Sequence, residues 1–157
     1  MIQGSASPRL SARLARALGC SLIKPERKRF PDSELYVRLT GEVSGEHAVI
    51  VQSTPEPQND NLIELYFLAR TARDLGASRV TLVIPYLAYA RQDKRFKPGE
   101  AVSLDCVASM ISSSGADSLV VVDIHEPGST GRFGIEARNL TAMPLLGSYI
   151  GKLRLRS

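Results

Sequence analysis

Three short apolar runs constrain the fold of this chain more than any other feature. They lie at 47–52, 79–84 and 118–123, and each contains three or four consecutive valine, isoleucine or leucine side chains. Such runs are typical of strands buried on both faces, as in parallel sheets. Amphipathic segments with helical spacing separate them. The alternation predicts an α/β domain of three layers, a parallel sheet covered by helices on both faces.

Spacing and capping residues predict four helices. They are expected from Ser7 to Gly19, from Asn59 to Gly76, from Ser103 to about Ser113, and from Thr141 to Ile150. In the first helix an apolar stripe is expected to face the sheet: Leu10, Leu14, Ala17 and Leu18.

Further strands are predicted at 21–24 and 35–39, and a first strand of two or three residues precedes Gly4. Three long segments are predicted to be irregular: 25–34, 86–100 and 124–134. Loops of this length are uncommon in compact domains and often carry function. We therefore look for chemistry in these three segments.

Length and charge exclude several classes of protein. The 157 residues correspond to about one domain, which can bury a normal core without disulfides. The net charge is +4, but Lys152, Arg154 and Arg156 all lie near the C-terminus. Only 24–29 is locally basic elsewhere, so nucleic acid is not an expected partner.

The cysteines and the N-terminus indicate a compartment. Cys20 and Cys106 lie far apart, and the only histidines are His47 and His125, so neither a structural zinc site nor a disulfide framework is predicted. No signal-peptide pattern opens the sequence, and no apolar run approaches the ~20 residues that a membrane span needs. We expect a cytoplasmic protein without a membrane partner.

The segment 86–100 follows the carboxyl end of a predicted strand, where ligands bind in open α/β sheets. It offers four cations, among them Arg91, and the amide of Gln92. These donors suit a ligand that carries phosphate. On composition alone, a solvated loop of mixed charge is the alternative.

Asp123 and His125 also follow the end of a predicted strand. Side chains two positions apart at this edge can both reach a Mg²⁺ ion or a polyphosphate. Because imidazole is not a favoured ligand of Mg²⁺, His125 would act partly as a donor to phosphate. The alternative is a capping or solvated histidine.

A third candidate loop contains Phe30, Asp32, Ser33 and Glu34. The aromatic ring could stack on a base, and the two carboxylates could accept hydrogen bonds from an exocyclic amine or from ribose hydroxyls. The alternative is a surface turn built on the sequence Pro-Asp-Ser, which is common.

These motifs occur together and in one order. The segments are 28–34, 51–54 with Asn59 and Asp60, 84–94, 97–100, 123–125 and 139–142. On these residues the chain resembles the N-terminal half of ribose-phosphate diphosphokinase, and most of all its archaeal members. The resemblance spans nearly the whole chain.

The resemblance implies the fold of type I phosphoribosyltransferases and a Mg²⁺-dependent reaction. In that reaction the C1 hydroxyl of ribose 5-phosphate attacks the β-phosphorus of ATP, and AMP leaves. Arg91 and Gln92 would contact ATP, and Asp123 and His125 would lie at the Mg²⁺–polyphosphate.

The same resemblance implies a homo-oligomer. Phe30, Asp32, Ser33 and Glu34 would reach an ATP that is bound mainly by a neighbouring subunit. Ser33 stands where many relatives have glycine, which is expected to restrict the backbone there.

Other departures concern metal and sugar. Gly134 and Arg138 stand where relatives often carry acids, so metal binding there is expected to be weaker or different. Gln52 and Ser53 stand where the second domain of the family has an acidic pair, so this loop is not expected to hold Mg²⁺–ribose phosphate.

Family enzymes carry two such domains, and the second supplies the ribose-phosphate loop and a catalytic lysine. We expect 1–150 to be the ATP-side domain and 151–157 a basic tail at the interdomain junction of a truncated chain. No catalytic residue is then assigned to this half, which is expected to be inactive alone. The alternative is a non-catalytic oligomerisation or regulatory subunit that pairs with full-length enzyme.

Overall fold

A computed structural model describes residues 1–153. One parallel sheet of five strands forms its centre, and two further strands form an antiparallel hairpin. In spatial order the sheet contains β1 (Ile2–Gln3), β4 (His47–Val51), β5 (Arg79–Ile84), β6 (Ser118–Val122) and β7 (Glu136–Leu140). The hairpin contains β2 (Glu26–Arg29) and β3 (Leu35–Arg38). The helices are α1 (Pro8–Leu18), α2 (Gln58–Asp74), α3 (Ser103–Ser113) and α4 (Met143–Lys152), with a 3₁₀ helix at Pro127–Phe133.

The main hydrophobic core lies on one face of the sheet. Ile50, Leu82 and Leu119 are aligned across β4, β5 and β6 and are fully buried. They belong to the same buried cluster as side chains of α2 and α3, such as Leu65 and Leu104. The three predicted central strands are confirmed to within one residue. Their side chains are fully buried on the face towards α2 and α3 and mostly half-buried or exposed on the other face.

The position of α1 follows from the path of the chain beside β1. After α1 the backbone passes along the outer side of β1, where Ile23 forms a parallel bridge with Ile2. This crossover runs in the opposite direction to those that follow β4 and β5. Right-handed crossovers therefore place α1 on the opposite face of the sheet from α2 and α3.

The apolar stripe predicted for α1 is confirmed only at Leu14, which is half-buried against the cluster of Met1, Ala15 and Val51. Ser11 and Ala15 are buried, whereas Leu10 and Leu18 are exposed to 36% and 67%. Small side chains let the helix lie close to β4, and the hydroxyl of Ser11 donates to the carbonyl of Ser7 within the helix. This second face is only partly covered, since Val120 and other side chains of β6 remain half-buried there.

Three strand assignments also change. The predicted strand at 21–24 is reduced to the single bridge at Ile23. The segment 25–34, predicted to be irregular, contains β2, whose sequence is wholly charged and gives no apolar signal. The sequence does not predict β7, because this strand lies at the sheet edge and its residues, Glu-Ala-Arg-Asn-Leu, contain no apolar run.

The C-terminal helix is confirmed, but it buries no side chain within residues 1–153. It continues through Lys152, past the predicted boundary at 150, and Arg154 and Arg156 lie outside the described residues. None of the helices in 1–153 is long and apolar enough to cross a membrane.

Candidate functional site

A cavity of about 420 Å³ opens at the carboxyl ends of β5 and β6. Its walls come from the segment after β5, from the start of α3 and from the segment after β6. Four of the residues singled out in the sequence line it: Arg91, Gln92, Asp123 and His125. They meet because adjacent parallel strands end at the same edge of the sheet. We name this space the strand-end cavity.

The basic side chains of the strand-end cavity are available to a ligand. Arg91 and His125 are exposed, and neither forms a hydrogen bond or an ion pair with any residue of 1–153. Both can therefore donate to an anion without first breaking an internal contact. These observations exclude a capping role for His125 within 1–153, and they fit both binding and the solvated alternative for the two side chains.

Gln92 is held in one orientation by α3. The hydroxyl of Ser103 donates to Oε1 of Gln92 over 3.2 Å, and the Leu104 amide donates to the Gln92 carbonyl over 3.2 Å. With Oε1 bonded to Ser103, the amide nitrogen, which has no hydrogen-bond partner within 1–153, can donate to a ligand. The sequence identified Ser103 only as a helix start and not as a cavity residue.

Asp123 is an ionised carboxylate fixed to the start of α4. Its Oδ2 accepts the Ala142 amide over 3.0 Å, and its own amide donates to the Leu140 carbonyl over 2.8 Å. The bond from Ala142, followed by the hydroxyl of Thr141, holds the pKa of Asp123 below its usual value. Carboxylate charge is therefore present in the cavity at neutral pH.

The residues of 1–153 contain no group of three or more histidine, cysteine, aspartate or glutamate side chains that could hold a metal by itself. The positions where acids were expected add no ligand: Arg138 pairs with Glu136, and Gly134 ends the 3₁₀ helix. Mg²⁺ is usually bound through one or two carboxylates together with substrate phosphates and water. The single carboxylate of Asp123 fits that pattern.

The hairpin residues lie elsewhere. Phe30, Asp32, Ser33 and Glu34 do not line the strand-end cavity. Ser33 and Glu34 line a second space of about 410 Å³ against the outer face of α2, here named the hairpin cavity. Within this chain, the structure therefore separates the predicted binding residues into two groups.

The loop between β2 and β3 is a tight turn, as the alternative interpretation expected. The Ser33 amide donates to the Phe30 carbonyl over 2.8 Å, and Asp32 Oδ1 accepts the Glu34 amide over 3.1 Å. Ser33 has φ +73°, so the expected backbone restriction is real. An ion pair between Arg29 and Asp60 fixes the turn to α2.

Phe30 is part of an aromatic and cationic cluster that sequence analysis did not assemble. Its ring packs edge-on against Tyr36 with 5.8 Å between centroids. The ammonium of Lys28 lies 5.7 Å from the centre of the Phe30 ring and 4.7 Å from that of Tyr36. Strand pairing would have predicted this cluster, since Lys28 faces Tyr36 across the hairpin.

The loop after β4 is closed by its own contacts. Gln52 is fully buried and accepts the Ala6 amide over 2.9 Å, while the Ser53 amide donates to the hydroxyl of Ser7 over 2.8 Å. A Cβ atom at Gly4 would clash with the Gln52 side chain. The polar groups at this strand end are therefore engaged by the connection between β1 and α1.

Comparison with known proteins gives consistent results. Residues 1–115 match the family described as the N-terminal domain of ribose phosphate pyrophosphokinase. The chain is 46% identical over 150 residues to the ribose-phosphate pyrophosphokinase of Methanobrevibacter smithii, covering 96% of this chain and 50% of that protein. It is 45% identical over 127 residues to that of Saccharolobus solfataricus, covering 81% and 44%. The chain thus spans about half the length of the curated relatives it matches.

The fold has a close counterpart among solved structures. The phosphoribosylpyrophosphate synthetase of Mycobacterium smegmatis superposes with a TM-score of 0.91 at 32% identity, over 97% of this chain and 51% of that one. The predicted parallel-sheet fold of the type I phosphoribosyltransferase kind is confirmed, as is the resemblance to archaeal relatives.

Proposed function

The chain belongs to the ribose-phosphate pyrophosphokinase family, and we therefore propose that it forms the ATP side of such an enzyme. That enzyme would transfer diphosphate from ATP to ribose 5-phosphate and release AMP. The observation that carries the proposal is the strand-end cavity, where Arg91, Gln92, Asp123 and His125 meet. Cations and amide donors around one carboxylate are what a Mg²⁺–polyphosphate requires.

In this proposal the chain acts by binding and orienting the nucleotide. Arg91 supplies charge-assisted hydrogen bonds to phosphate, and the Gln92 amide nitrogen adds a donor whose direction is set by Ser103. His125 donates at the same edge, and Asp123 would hold Mg²⁺, which neutralises the charge that spreads over the phosphates during transfer. Diphosphoryl transfer depends mainly on such positioning and electrostatic stabilisation.

The ribose 5-phosphate site is proposed to lie outside these 157 residues. Support comes from the loop after β4, where Gln52 and Ser53 are used by internal hydrogen bonds. The chain would then contribute no catalytic residue, and the purified 157-residue chain is expected to form no AMP from ATP and ribose 5-phosphate. Both cysteines are free, which accords with the cytoplasmic location that we also propose.

The hairpin is proposed to complete the nucleotide site of a neighbouring copy. Support comes from the separation of the two cavities, because Phe30 and Arg91 do not face one space within a single chain. Phe30 is 43% exposed and already backed by Tyr36, so its outer face is available to stack on a base. The partner in this proposal is therefore a homo-oligomer.

Calorimetric titration with Mg²⁺–ATP tests the nucleotide site. Arg91→Ala is expected to weaken binding at least tenfold, because a charge-assisted contact to phosphate is worth about 1.5–3 kcal/mol. Arg13→Ala is the matched control, since Arg13 is exposed on α1 and does not line the cavity. Equal affinity of the two variants at unchanged thermal stability would contradict the proposed site.

A further inference from the structure

We propose that Thr54 and Asn59 are positioning residues for the loop that carries Arg91 and Gln92. Neither of the two lines the strand-end cavity. Both lie in the segment 52–59 between β4 and the first turn of α2, which we name the support segment. The inference rests on the proposed function. It gives the segment after β4 a role in shaping the loop after β5.

Thr54 forms three hydrogen bonds with the start of the loop that carries Arg91 and Gln92. Its amide donates to the Tyr86 carbonyl over 2.9 Å, and its hydroxyl donates to the same oxygen over 3.0 Å. The hydroxyl also accepts the Ala88 amide over 2.7 Å. Thr54 is fully buried, so water does not compete for these bonds. One hydroxyl therefore fixes the backbone at two positions of the loop.

Asn59 holds the next residue of the loop. The hydroxyl of Tyr89 donates to Oδ1 of Asn59 over 2.5 Å. Tyr89 has φ +63°, a left-handed conformation that costs a side-chain-bearing residue about 1–2 kcal/mol. The bond to Asn59 helps to offset that cost two residues before Arg91. The direction in which Arg91 leaves the backbone thus depends on a contact outside the cavity.

The support segment is itself anchored to two helices. The side-chain amide of Asn61, on α2, donates to the Pro55 carbonyl over 2.9 Å. The side-chain amide nitrogen of Gln52 donates to Oδ1 of Asn61 over 3.3 Å, and the Ser53 backbone amide donates to the Ser7 hydroxyl at the start of α1. The polar groups at the end of β4 form one connected network. Such a network can fix the support segment, and through it the loop after β5.

The first test measures Mg²⁺–ATP affinity in variants that remove each bond. Thr54→Val keeps the shape but loses the hydroxyl, and Asn59→Leu loses the acceptor for Tyr89. Each is expected to raise the Kd about five- to tenfold, while Thr54→Ser, which keeps the hydroxyl, stays within about twofold. Thr81→Val is the matched control, since its hydroxyl bonds to His47 and Ser118, far from the loop.

A double-mutant cycle separates positioning from a loss of stability. If Asn59 acts through the Tyr89 hydroxyl, Asn59→Leu and Tyr89→Phe should weaken binding together no more than either does alone. Additive losses, or a Kd raised equally by Thr81→Val, would overturn the proposal. Wild-type affinity in both Thr54→Val and Asn59→Leu would do the same.

Amide hydrogen exchange, measured without nucleotide, tests the positioning role independently of the proposed nucleotide site. Amides at 86–92 are expected to exchange faster in Thr54→Val and Asn59→Leu than in the wild-type chain or in Thr81→Val. If the wild-type chain binds no Mg²⁺–ATP, the proposed nucleotide site fails, and faster exchange still supports positioning of the loop. Unchanged exchange at 86–92 overturns the positioning role whatever the nucleotide result.

Discussion

Within residues 1–153, three residues other than glycine adopt a left-handed backbone, and each lies in a loop that carries candidate binding groups. They are Ser33, Tyr89 and Asp123. A side chain in this region costs free energy, so such residues persist where the surrounding contacts hold them. Here the contacts are identifiable: the turn bond to Phe30, the bond from Tyr89 to Asn59, and the bond from Ala142 to Asp123. Backbone strain therefore coincides with the proposed site.

Ser33 offers the simplest test of this strain. Glycine has no Cβ penalty at φ +73°, so Ser33→Gly is expected to raise the free energy of unfolding by about 0.5 kcal/mol. Ser33→Val, with a β-branched side chain, is expected to lower it by about 1–2 kcal/mol. Urea denaturation of both variants measures the difference. A glycine variant less stable than the wild type would contradict the assignment of strain.

Asp117 predicts a pH dependence of stability. Burial opposes its ionisation, but the Val80 amide at 2.7 Å and the guanidinium of Arg73 outweigh it and lower the pKa. A lowered native pKa stabilises the fold above the unfolded value of about 3.9 and loses that contribution as the pH falls through the native value.

Asp117→Asn should therefore be less stable than the wild type at neutral pH, by about 0.5 kcal/mol given the partial exposure of the pair. The difference should shrink when urea unfolding is repeated near pH 3 instead of near pH 7. A difference that is the same at both pH values would show that the charge of Asp117 does not stabilise the fold.

At this scale the sequence predicts which residues meet in the strand-end cavity, but not what holds them. Arg91 and Asp123 could be placed together because each follows a recognisable parallel strand. The bond from Ser103 to Gln92 and the bonds of Thr54 could not be predicted. They join atoms of separate segments whose approach depends on packing of the whole domain.

At the scale of elements, the connection between β1 and α1 is closely packed. A Cβ at Gly4 would lie 2.6 Å from the Val51 carbonyl oxygen and would also meet the Gln52 side chain. The two strand ends approach so closely that only glycine fits between them. The same approach brings Ser7 to the amide of Ser53 and so anchors the support segment.

Gly4→Ala is expected to lower the free energy of unfolding by about 1–3 kcal/mol, because the backbone must shift to admit the methyl group. Gly147→Ala is the control: Gly147 lies in α4, nothing lies within 4 Å of a Cβ there, and alanine favours the helix by up to about 1 kcal/mol. Thermal unfolding of the two variants measures the contrast. Equal stability would mean that the connection relaxes without cost.

The sequence predicts some elements better than others, and the difference follows how deeply each element is buried. The central strands and α3 are recognisable because their apolar patterns match burial on one or both faces. The edge strands β2 and β7 present charged residues to solvent and lack that pattern. In α1, the face against the sheet is chosen by close approach of small residues, which a hydrophobic stripe does not indicate.

At the scale of the whole molecule, the proposal that copies share a nucleotide site can be tested by mixing variants. If the hairpin of one copy serves the strand-end cavity of the next, Phe30→Ala and Arg91→Ala disable different halves of the same composite site. Each variant alone is then expected to bind Mg²⁺–ATP weakly. A mixture of the two is expected to recover part of the binding, because some contacts then join an intact hairpin to an intact cavity.

Mixing experiments of this kind require oligomers whose chains exchange. Sedimentation at several protein concentrations shows whether association is reversible. Recovery in the mixture, absent from either variant at the same total concentration, is the expected result. No recovery among chains that do exchange would mean that Phe30 does not serve the neighbouring cavity. A mixture of Arg13→Ala with Arg91→Ala measures the recovery that arises from intact chains alone.

The walls of the strand-end cavity also give the protein an optical property. The chain contains five tyrosines and no tryptophan, so its ultraviolet emission comes from phenol rings alone. Two of the five, Tyr86 and Tyr89, stand at the cavity, and both are partly exposed. Whatever enters that space must change the surroundings of a large share of the emitting groups. The unlabelled protein can therefore report its own occupancy in a fluorimeter.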